Sequence, residues 1–254
     1  MLEISIIKCL SDNYSYLIRD VETNLVGVVD PSEFEPVDSA IIRSYKKLDY
    51  ILNTHHHNDH VGGNKKLKQK YNSKVVSSKV DELRIPEIDL KLSGGDFFKF
   101  GKTSFEIIFI PGHTKGHIAF FSQSEKVIFT GDTLFSLGCG RIFEGSYEQM
   151  FNSLNKIKKL PSSTKIYCGH EYTKKNYEFC KKFDFNNKFL RKKFDWISSQ
   201  LNNNKPTIPS SLYEELKTNI FLRCDSLSVK EALGMNNASE EVIFKKLRDL
   251  KDHF

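Results

Sequence analysis

The distribution of histidine constrains this chain more than any other feature of its sequence. Seven of its eight histidines fall in three short segments, residues 54–60, 112–117 and 169–171, and only His253 lies elsewhere. An isolated histidine is usually a surface or hydrogen-bonded core residue, but histidines clustered beside glycines at the ends of predicted strands are typical of metal ligands. The fold must therefore bring three distant segments together at one metal-binding site.

The spacing inside the first segment predicts ligands for two neighbouring ions. Side chains two residues apart in an extended stretch point the same way, so His55 and His57 can bind one ion while His56 faces elsewhere. Asp59 and His60 follow where a helix is predicted to begin, and they can face a second ion. Three imidazoles and a carboxylate within six residues suit two neighbouring ions better than one tetrahedral ion.

A carboxylate from a different part of the chain is a candidate bridge between the ions. Asp132, in the sequence Phe-Thr-Gly-Asp-Thr, ends a predicted strand. A Gly-Asp pair alone is typical of an ordinary turn, so this prediction depends on the histidine segments. The two glycines that follow His60 would let the backbone pass close to the same site.

The composition excludes several classes of protein. With 254 residues, 39% of them hydrophobic and 28% charged, the chain is long and apolar enough for one large domain, or for one domain with a smaller companion. No apolar run reaches the ~18 residues needed to cross a bilayer, and we expect no secretory signal. The five cysteines form no C-x-x-C pair, which favours free thiols in a reducing cytosol over a disulfide scaffold. We therefore expect a cytoplasmic protein.

Residues 1–169 are predicted to form a β-rich domain. Short runs rich in Ile, Val, Phe and Tyr alternate with turn signals, and few helical patterns occur. Many strands with few helices indicate two packed sheets with helices on the outside, an α+β fold. The predicted strands are residues 2–8, 14–19, 25–30, 50–53, 74–77, 97–100, 104–110, 117–122, 126–130 and 165–168, and the predicted helices are 37–47, 59–71 and 147–159.

Residues 170–254 are predicted to form a small helical domain. Helical periodicity occurs at about 172–183, 188–202, 211–219, 228–233 and 239–252. Ser228 and Glu231 have the spacing of a capping box, and Ser239 followed by two acidic residues predicts the start of the next helix.

The motifs together resemble a known family. In chain order they are Thr-His-His-His-Asn-Asp-His (54–60), Pro-Gly-His-Thr-Lys-Gly-His (111–117), Gly-Asp-Thr-Leu-Phe (131–135), Gly-Cys-Gly-Arg (138–141) and Gly-His-Glu-Tyr-Thr (169–173). The first motif resembles the metallo-β-lactamase superfamily in general. The last two, with Arg-Asp-Leu-Lys-Asp at 248–252, are similar to the hydroxyacylglutathione hydrolases, or glyoxalase II. The resemblance covers nearly the whole chain and implies a four-layer αββα sandwich followed by a helical, glutathione-binding domain.

The resemblance also implies a role for each residue of the motifs. One ion would be bound by His55, His57 and His113, the other by Asp59, His60 and His170, and Asp132 would bridge them. Two divalent ions are expected, zinc first, with iron or manganese as alternatives because imidazole and carboxylate ligands accept all three. His117 would pack or hydrogen-bond beside the ligands, and Asp30 would orient a ligand imidazole.

The implied reaction is hydrolysis of S-D-lactoylglutathione to D-lactate and glutathione, the second step of methylglyoxal detoxification. A hydroxide shared by the two ions would attack the thioester carbonyl, oriented by Asp59, and a thiolate whose parent pKa is ~8.5 would leave without a strong acid. The glutathione part would contact Arg141, Tyr172, Arg248 and Lys251, together with Phe143 at a position where some relatives have a tyrosine. We expect a monomer with no nucleic-acid or membrane partner.

Three rival functions share parts of this pattern. A nuclease of the same superfamily would use the basic stretch 174–193, which has eight basic and two acidic residues, but no recognition motif accompanies that charge and a solvated helical face explains it. A persulfide dioxygenase would need a single iron and fits the full second ligand set poorly. A non-catalytic protein of the same fold would be expected to lack ligands, and all seven are present.

Overall fold

The N-terminal part of the chain forms the first of two sheets in the computed structural model, which describes residues 1–254. Its six strands lie side by side in chain order: β1 (Leu2–Cys9), β2 (Asn13–Asp20), β3 (Val26–Val29), β4 (Tyr50–Leu52), β5 (Lys74–Ser78) and β6 (Ile88–Leu92). Strands β1 to β3 are antiparallel, and β3 to β6 are parallel. Parallel neighbours need crossover connections, which include α1 (Phe34–Ser44), α2 (Asn58–Val61) and α3 (Asn64–Tyr71).

The second sheet faces the first. Its strands are β7 (Phe97–Phe100), β8 (Thr103–Phe109), β9 (Ile118–Ser122), β10 (Val127–Gly131), β13 (Lys165–Cys168) and β14 (Ser210–Ser211), in the spatial order β14-β13-β10-β9-β8-β7. A two-stranded hairpin, β11 (Leu134–Phe135) and β12 (Gly138–Cys139), follows β10. The helix α4 (Tyr147–Lys158) makes the crossover between the parallel strands β10 and β13.

Helices dominate the rest of the chain, but this region also contributes to the second sheet. The helices are α5 (Thr173–Phe183), α6 (Lys188–Asn202), α7 (Leu212–Thr218), α8 (Leu227–Leu233) and α9 (Glu240–Asp252). Strand β14 lies between α6 and α7 and pairs antiparallel with β13, Ser210 opposite Ile166 and Ser211 opposite Lys165. The C-terminal region therefore supplies the edge strand of the sheet next to which it packs.

The apolar core lies in three layers. An aromatic-rich cluster of 18 buried residues, including Tyr16, Phe100 and Phe129, fills the space between the sheets. A cluster of 12 lies between the first sheet and helices α1 and α3. The largest, of 25, joins the second sheet to α4 and the C-terminal helices. Burial on both faces of each sheet explains why the central strands are almost continuously apolar, and it confirms the predicted αββα sandwich with a C-terminal helical region.

Some local predictions were wrong, for identifiable reasons. The helix predicted over 59–71 is divided into α2 and α3 at Gly62 and Gly63, and the backbone at Gly62 approaches Ser32 so closely that a Cβ would lie 2.4 Å from the Ser32 carbonyl oxygen. Ser228 does not cap a helix: α8 begins at Leu227, and the Ser228 hydroxyl donates to Asp184 instead. Strands β11, β12 and β14 were not predicted because each has only two residues and is stabilised mainly by non-local pairing. Strand β6 was also missed: its three central residues are exposed, so its sequence lacks the apolar run of a buried strand.

The predicted division between residues 169 and 170 stays a prediction. The shared core and strand β14 connect the two regions. No helix of the chain has both the length and the apolarity required to cross a bilayer.

Two phenylalanines of strand β7 provide a matched test of the inter-sheet core. Phe100 is fully buried there, whereas Phe97 is 66% exposed. We expect Phe100→Ala to lower the free energy of unfolding by about 3–5 kcal/mol, through lost burial and a residual cavity. Phe97→Ala should change it by no more than ~0.5 kcal/mol. Urea denaturation of both variants measures the difference, and equal losses would contradict the assigned core.

Candidate metal centre and substrate cleft

The predicted metal ligands all converge on one edge of the sandwich, where strands from both sheets end. The segment after β4 carries four of them, the loop between β8 and β9 carries His113, and Asp132 and His170 follow β10 and β13. Two of the seven residues, His55 and His60, are completely buried. The fold therefore brings together the three histidine segments that the sequence placed far apart.

The first ligand group consists of His55, His57 and His113. Their ligand nitrogens lie within 4.8 Å of one another, and His57 Nδ1 is 3.0 Å from His113 Nε2. His113 Nδ1 donates to the Arg141 carbonyl oxygen at 2.8 Å, which leaves Nε2 as the lone-pair nitrogen. Burial and neighbouring imidazoles lower the pKa of His57 to about 4, and burial also lowers the pKa of His55 and His113. Neutral imidazole is the form that binds metal.

The second ligand group, Asp59, His60 and His170, has the opposite electrostatic character. Its ligand atoms also lie within 4.8 Å of one another, with Asp59 Oδ2 3.4 Å from His170 Nε2. Burial alone would lower the pKa of both histidines. Asp132 and Asp30 together raise that of His60 to about 10, and Asp132 with Asp59 and Asp12 raises that of His170 to about 11. The carboxylates around these two histidines therefore make the second group attractive to cations.

Asp132 lies between the two groups. Its Oδ1 is 3.3 Å from His60 Nε2, and its Oδ2 is 3.2 Å from His170 Nε2 and 3.5 Å from His113 Nε2. Burial would raise its pKa, but the charges of His170 and His60 hold it well below the ordinary aspartate range. This carboxylate therefore has one oxygen shared by both ligand groups and one beside the second.

The donor set passes a direct test of whether it fits metal ions. Three buried polar atoms in it have no hydrogen-bond partner: His55 Nε2, His60 Nε2 and Asp132 Oδ1. An unsatisfied buried polar atom is costly and calls for a partner. All three belong to predicted ligands, so divalent cations at this site would satisfy them.

Residues behind the ligands fix their orientation. Asp30 Oδ2 accepts a hydrogen bond from His60 Nδ1 at 3.0 Å, as predicted. Asp12 Oδ1 accepts one from His170 Nδ1 at 2.8 Å, and Asn13 Nδ2 donates to Asp59 Oδ2 at 3.0 Å. Such partners select the imidazole tautomer that leaves the other nitrogen free for metal. The sequence signal for Asp12 and Asn13 was an Asp-Asn pair that predicted only a turn.

The remaining clustered histidines lie outside both groups. His117 is buried, and its Nε2 accepts a hydrogen bond at 3.1 Å from the backbone N–H of Asp132, so it supports the bridging carboxylate. His56 points away from the ligands, toward Asp81, Arg84 and Glu144. Both placements agree with the expectation that neither is a ligand.

A glycine allows the C-terminal histidine loop to approach the centre. A Cβ on Gly169 would lie 2.3 Å from Asp132 Oδ1 and 2.6 Å from the His60 ring. Any larger residue would displace one of these ligands.

A cleft of about 530 Å³ opens over the ligands, within the ~300–1,000 Å³ usual for small-molecule sites. Tyr172 stacks on the His170 ring, with centroids 4.7 Å apart. Phe143 is 62% exposed, and its ring meets those of His57 and His113 at centroid distances of 5.7 and 5.2 Å. These aromatic rings cover the metal ligands from two directions.

Basic side chains also line the cleft. They are Arg141, Lys175, Arg248 and Lys251. Lys251 is partly exposed, and burial with the nearby positive charges lowers its pKa to about 8. Arg248 is only 2% exposed: its Nη1 donates to the Cys139 carbonyl oxygen at 2.8 Å and its Nη2 to Asp252 at 2.9 Å. Its predicted contact with substrate stays a prediction.

Comparison with known proteins agrees with this geometry. The sequence profile of the metallo-beta-lactamase superfamily matches residues 11–170, and that of the hydroxyacylglutathione hydrolase C-terminus matches residues 171–254. The hydroxyacylglutathione hydrolase of Pelagibacter ubique is 53% identical over the full length of both chains. The chain belongs to the hydroxyacylglutathione hydrolase family. The predicted resemblance is confirmed.

Solved structures of lower sequence identity share the fold of this family member. ETHE1 from Myxococcus xanthus superposes with a TM-score of 0.67 at 22% identity, covering 98% of this chain and 96% of its own. TTHA1623, crystallised in a di-iron-bound form, gives 0.61 at 23% identity, covering 87% and 100%.

The structure also shows cleft residues that the sequence analysis did not identify. Lys175 and Asn176 on α5 and Phe254 after α9 line the cleft. Lys251 Nζ lies 5.0 Å from the centre of the Phe179 ring and 4.8 Å from that of Phe254. The sequence did not single out Lys175 because its helix carries many basic residues, and it did not single out Phe254 because this residue follows the end of the predicted helix at 252.

Removing one imidazole tests the first ligand group. We expect His57→Ala to bind fewer divalent ions per chain than the wild type, because two imidazoles without the third hold an ion poorly. Elemental analysis of zinc-saturated, desalted protein measures this. His253→Ala is the matched control, since His253 is exposed and lies outside the cluster. Equal metal content in the two variants would contradict the assignment.

Proposed function

We propose that this chain is a thioester hydrolase that converts S-D-lactoylglutathione and related 2-hydroxyacylglutathiones to the hydroxy acid and glutathione. One observation carries the proposal: two ligand groups linked by the Asp132 carboxylate lie beside a cleft that basic side chains also line. Its family membership supports the same reaction.

Two divalent ions fit the donor set. His55, His57 and His113 would hold one, Asp59, His60 and His170 the other, and Asp132 would contact both. Zinc is the first expectation, and iron or manganese would suit the same ligands. The di-iron form of TTHA1623, which shares this fold, supports a site for two ions.

Bound divalent ions supply Lewis acidity for the carbonyl oxygen and lower the pKa of water to around 7. The protein's own groups do the rest. The Asp59 side chain is partly exposed, lines the cleft and is held by Asn13, so it can orient the attacking water by accepting a hydrogen bond from it. No serine or cysteine nucleophile is needed.

The leaving group needs little assistance. A glutathione thiolate has a parent pKa of ~8.5, so it departs near neutral pH without a strong general acid. Tyr172, whose pKa burial and neighbouring aspartates raise, remains a hydrogen-bond donor beside His170 and can contact the glutathione backbone.

The basic residues of the cleft suit the non-reacting part of the substrate. Glutathione carries two carboxylates, and Arg141, Lys175 and Lys251 present positive charge to them. Phe143 offers a ring without the hydroxyl that some relatives have, so its contact with substrate is apolar. Binding remote from the thioester orients the carbonyl over the metal ligands.

The proposed setting is the second step of methylglyoxal detoxification in the cytoplasm. The five cysteines are free and buried, which suits a reducing compartment. We propose that the chain acts as a monomer on a small-molecule substrate and uses neither nucleic acid nor a membrane.

A parallel assay tests the proposed reaction. Zinc- or iron-loaded enzyme should lower the thioester absorbance of S-D-lactoylglutathione and leave bis-p-nitrophenyl phosphate intact. Phosphodiester cleavage without thioester loss would indicate a nuclease, and oxygen uptake with glutathione persulfide a dioxygenase. Inertness toward all three substrates would overturn the enzymatic proposal.

Substitution of Lys251 separates binding from chemistry. Lys251→Ala should raise KM by about 3- to 10-fold, because it removes a charged contact to the substrate in a partly solvated cleft. The value of kcat should change little, since the contact is remote from the thioester. Lys246→Ala is the control on the same helix, where the side chain is exposed. An unchanged KM in Lys251→Ala would remove this residue from the binding site.

The same residue predicts a pH dependence. The pKa of Lys251 is lowered to about 8, so the side chain is charged below that pH and loses its charge above it. Affinity for a substrate carboxylate should therefore fall, and KM should rise, between pH 7 and pH 9. Lys251→Arg, which stays charged, should show a flatter profile, and titration of the substrate cancels in the comparison. Identical profiles would rule out this contribution.

A further inference from the structure

A charged cluster lies behind the first ligand group and outside the substrate cleft. It consists of His56, Asp81, Arg84 and Glu144, which come from three separate segments of the chain, Asp81 and Arg84 being three residues apart. Asp81 is completely buried, and the side chains of Arg84 and Glu144 are 32% and 24% exposed. None of the four lines the cleft or belongs to a ligand group, so the proposed reaction leaves them without a role.

Arg84 joins the two carboxylates. Its Nη2 donates to Asp81 Oδ1, and its Nη1 donates to Glu144 Oε1 at 2.5 Å. Asp81 ends a 3₁₀ turn after β5, whereas Glu144 lies in the loop between β12 and α4. The planar fork of a guanidinium can hold two acceptors at once, which the single ammonium of lysine does poorly.

Both carboxylates in turn contact the loop that carries His113. Glu144 Oε2 accepts a hydrogen bond from the backbone N–H of Lys115 at 2.7 Å. The backbone of Gly116 packs so closely on Asp81 that a Cβ there would lie 2.1 Å from Asp81 Oδ1. These two contacts with Glu144 and Asp81 hold the His113 loop in position.

His56 connects the cluster to the other ligand segment. Its Nε2 lies 3.5 Å from Glu144 Oε1 and 3.4 Å from an Arg84 nitrogen, and its Nδ1 lies 3.7 Å from Asp81 Oδ2. His55 and His57, on either side of it in the chain, both belong to the first ligand group. The cluster therefore holds one residue between two ligands.

We propose that Arg84 and Glu144 are positioning residues for metal binding. They set the separation between the His55–His57 segment and the His113 loop, and so the geometry of the first ligand group. The present separation is 3.0 Å between His57 Nδ1 and His113 Nε2. Because zinc–imidazole bonds span only ~2.0–2.1 Å, a small displacement of either loop removes a ligand from bonding range.

Zinc binding by chelator-stripped protein tests this proposal without any thioester. Arg84→Lys keeps the charge but loses the fork, and Glu144→Gln removes the charge that holds Arg84. In competition with a chromogenic chelator, each should bind one zinc equivalent about 10- to 100-fold more weakly than the wild type, the range for groups that orient ligands. Lys91→Met, which breaks the exposed Lys91–Glu82 ion pair, is the matched control and should bind like the wild type.

A double variant assigns the weakened equivalent. Suppose that the weakly bound zinc of Arg84→Lys occupies the first ligand group. His57→Ala already removes that zinc, so the double variant Arg84→Lys/His57→Ala should bind its remaining zinc as tightly as His57→Ala alone. Circular dichroism and a cooperative thermal transition of the metal-free proteins check folding, and Glu144→Gln decides the matter if Arg84→Lys does not fold. Unchanged zinc affinity in a folded variant, or equal weakening of both equivalents, would overturn the proposal. Since no substrate is involved, failure of the proposed hydrolase activity would not be confused with failure here.

Discussion

The position of one carboxylate, Asp132, sets the chemistry of the whole centre. Its two oxygens lie within 3.5 Å of imidazole nitrogens from all three histidine segments. In the metal-free protein its charge favours protons on His60 and His170. Cations held there by His60 and His170 would take the place of those protons. The first group, which contains no carboxylate and has low imidazole pKa values, needs no such exchange.

The seven candidate ligands, which the structure brings together, could be picked out of the sequence because their signal is local. Histidines two residues apart, glycine neighbours and strand ends are all visible without a structure. The orienting residues were harder to find. Asp12 and Asn13 act because the turn between β1 and β2 lies against the loop after β13, where Tyr14 N–H donates to the Gly169 carbonyl oxygen. That contact joins residues more than 150 positions apart, and an Asp-Asn pair carries no sign of it.

Arg248 and Lys251 illustrate a second limit of sequence reasoning. Their spacing of three predicts a common helix face, and both do line the cleft. Their depths nevertheless differ. Arg248 lies under the segment that contains Cys139 and donates to its backbone, whereas Lys251 remains partly exposed. Helical periodicity predicts which way a side chain points, but it does not predict how deeply other segments of the chain bury it.

Strand β14 limits how far this protein can be treated as modular. It covers the edge of β13, the strand that leads directly to His170, and an uncovered edge would be a template for intermolecular pairing. A chimera that takes its helical half from another family member would therefore have to rebuild the sheet boundary as well as the binding cleft. Exchange of whole domains between relatives is accordingly constrained by backbone hydrogen bonding at Ser210 and Ser211, two residues that do not line the cleft.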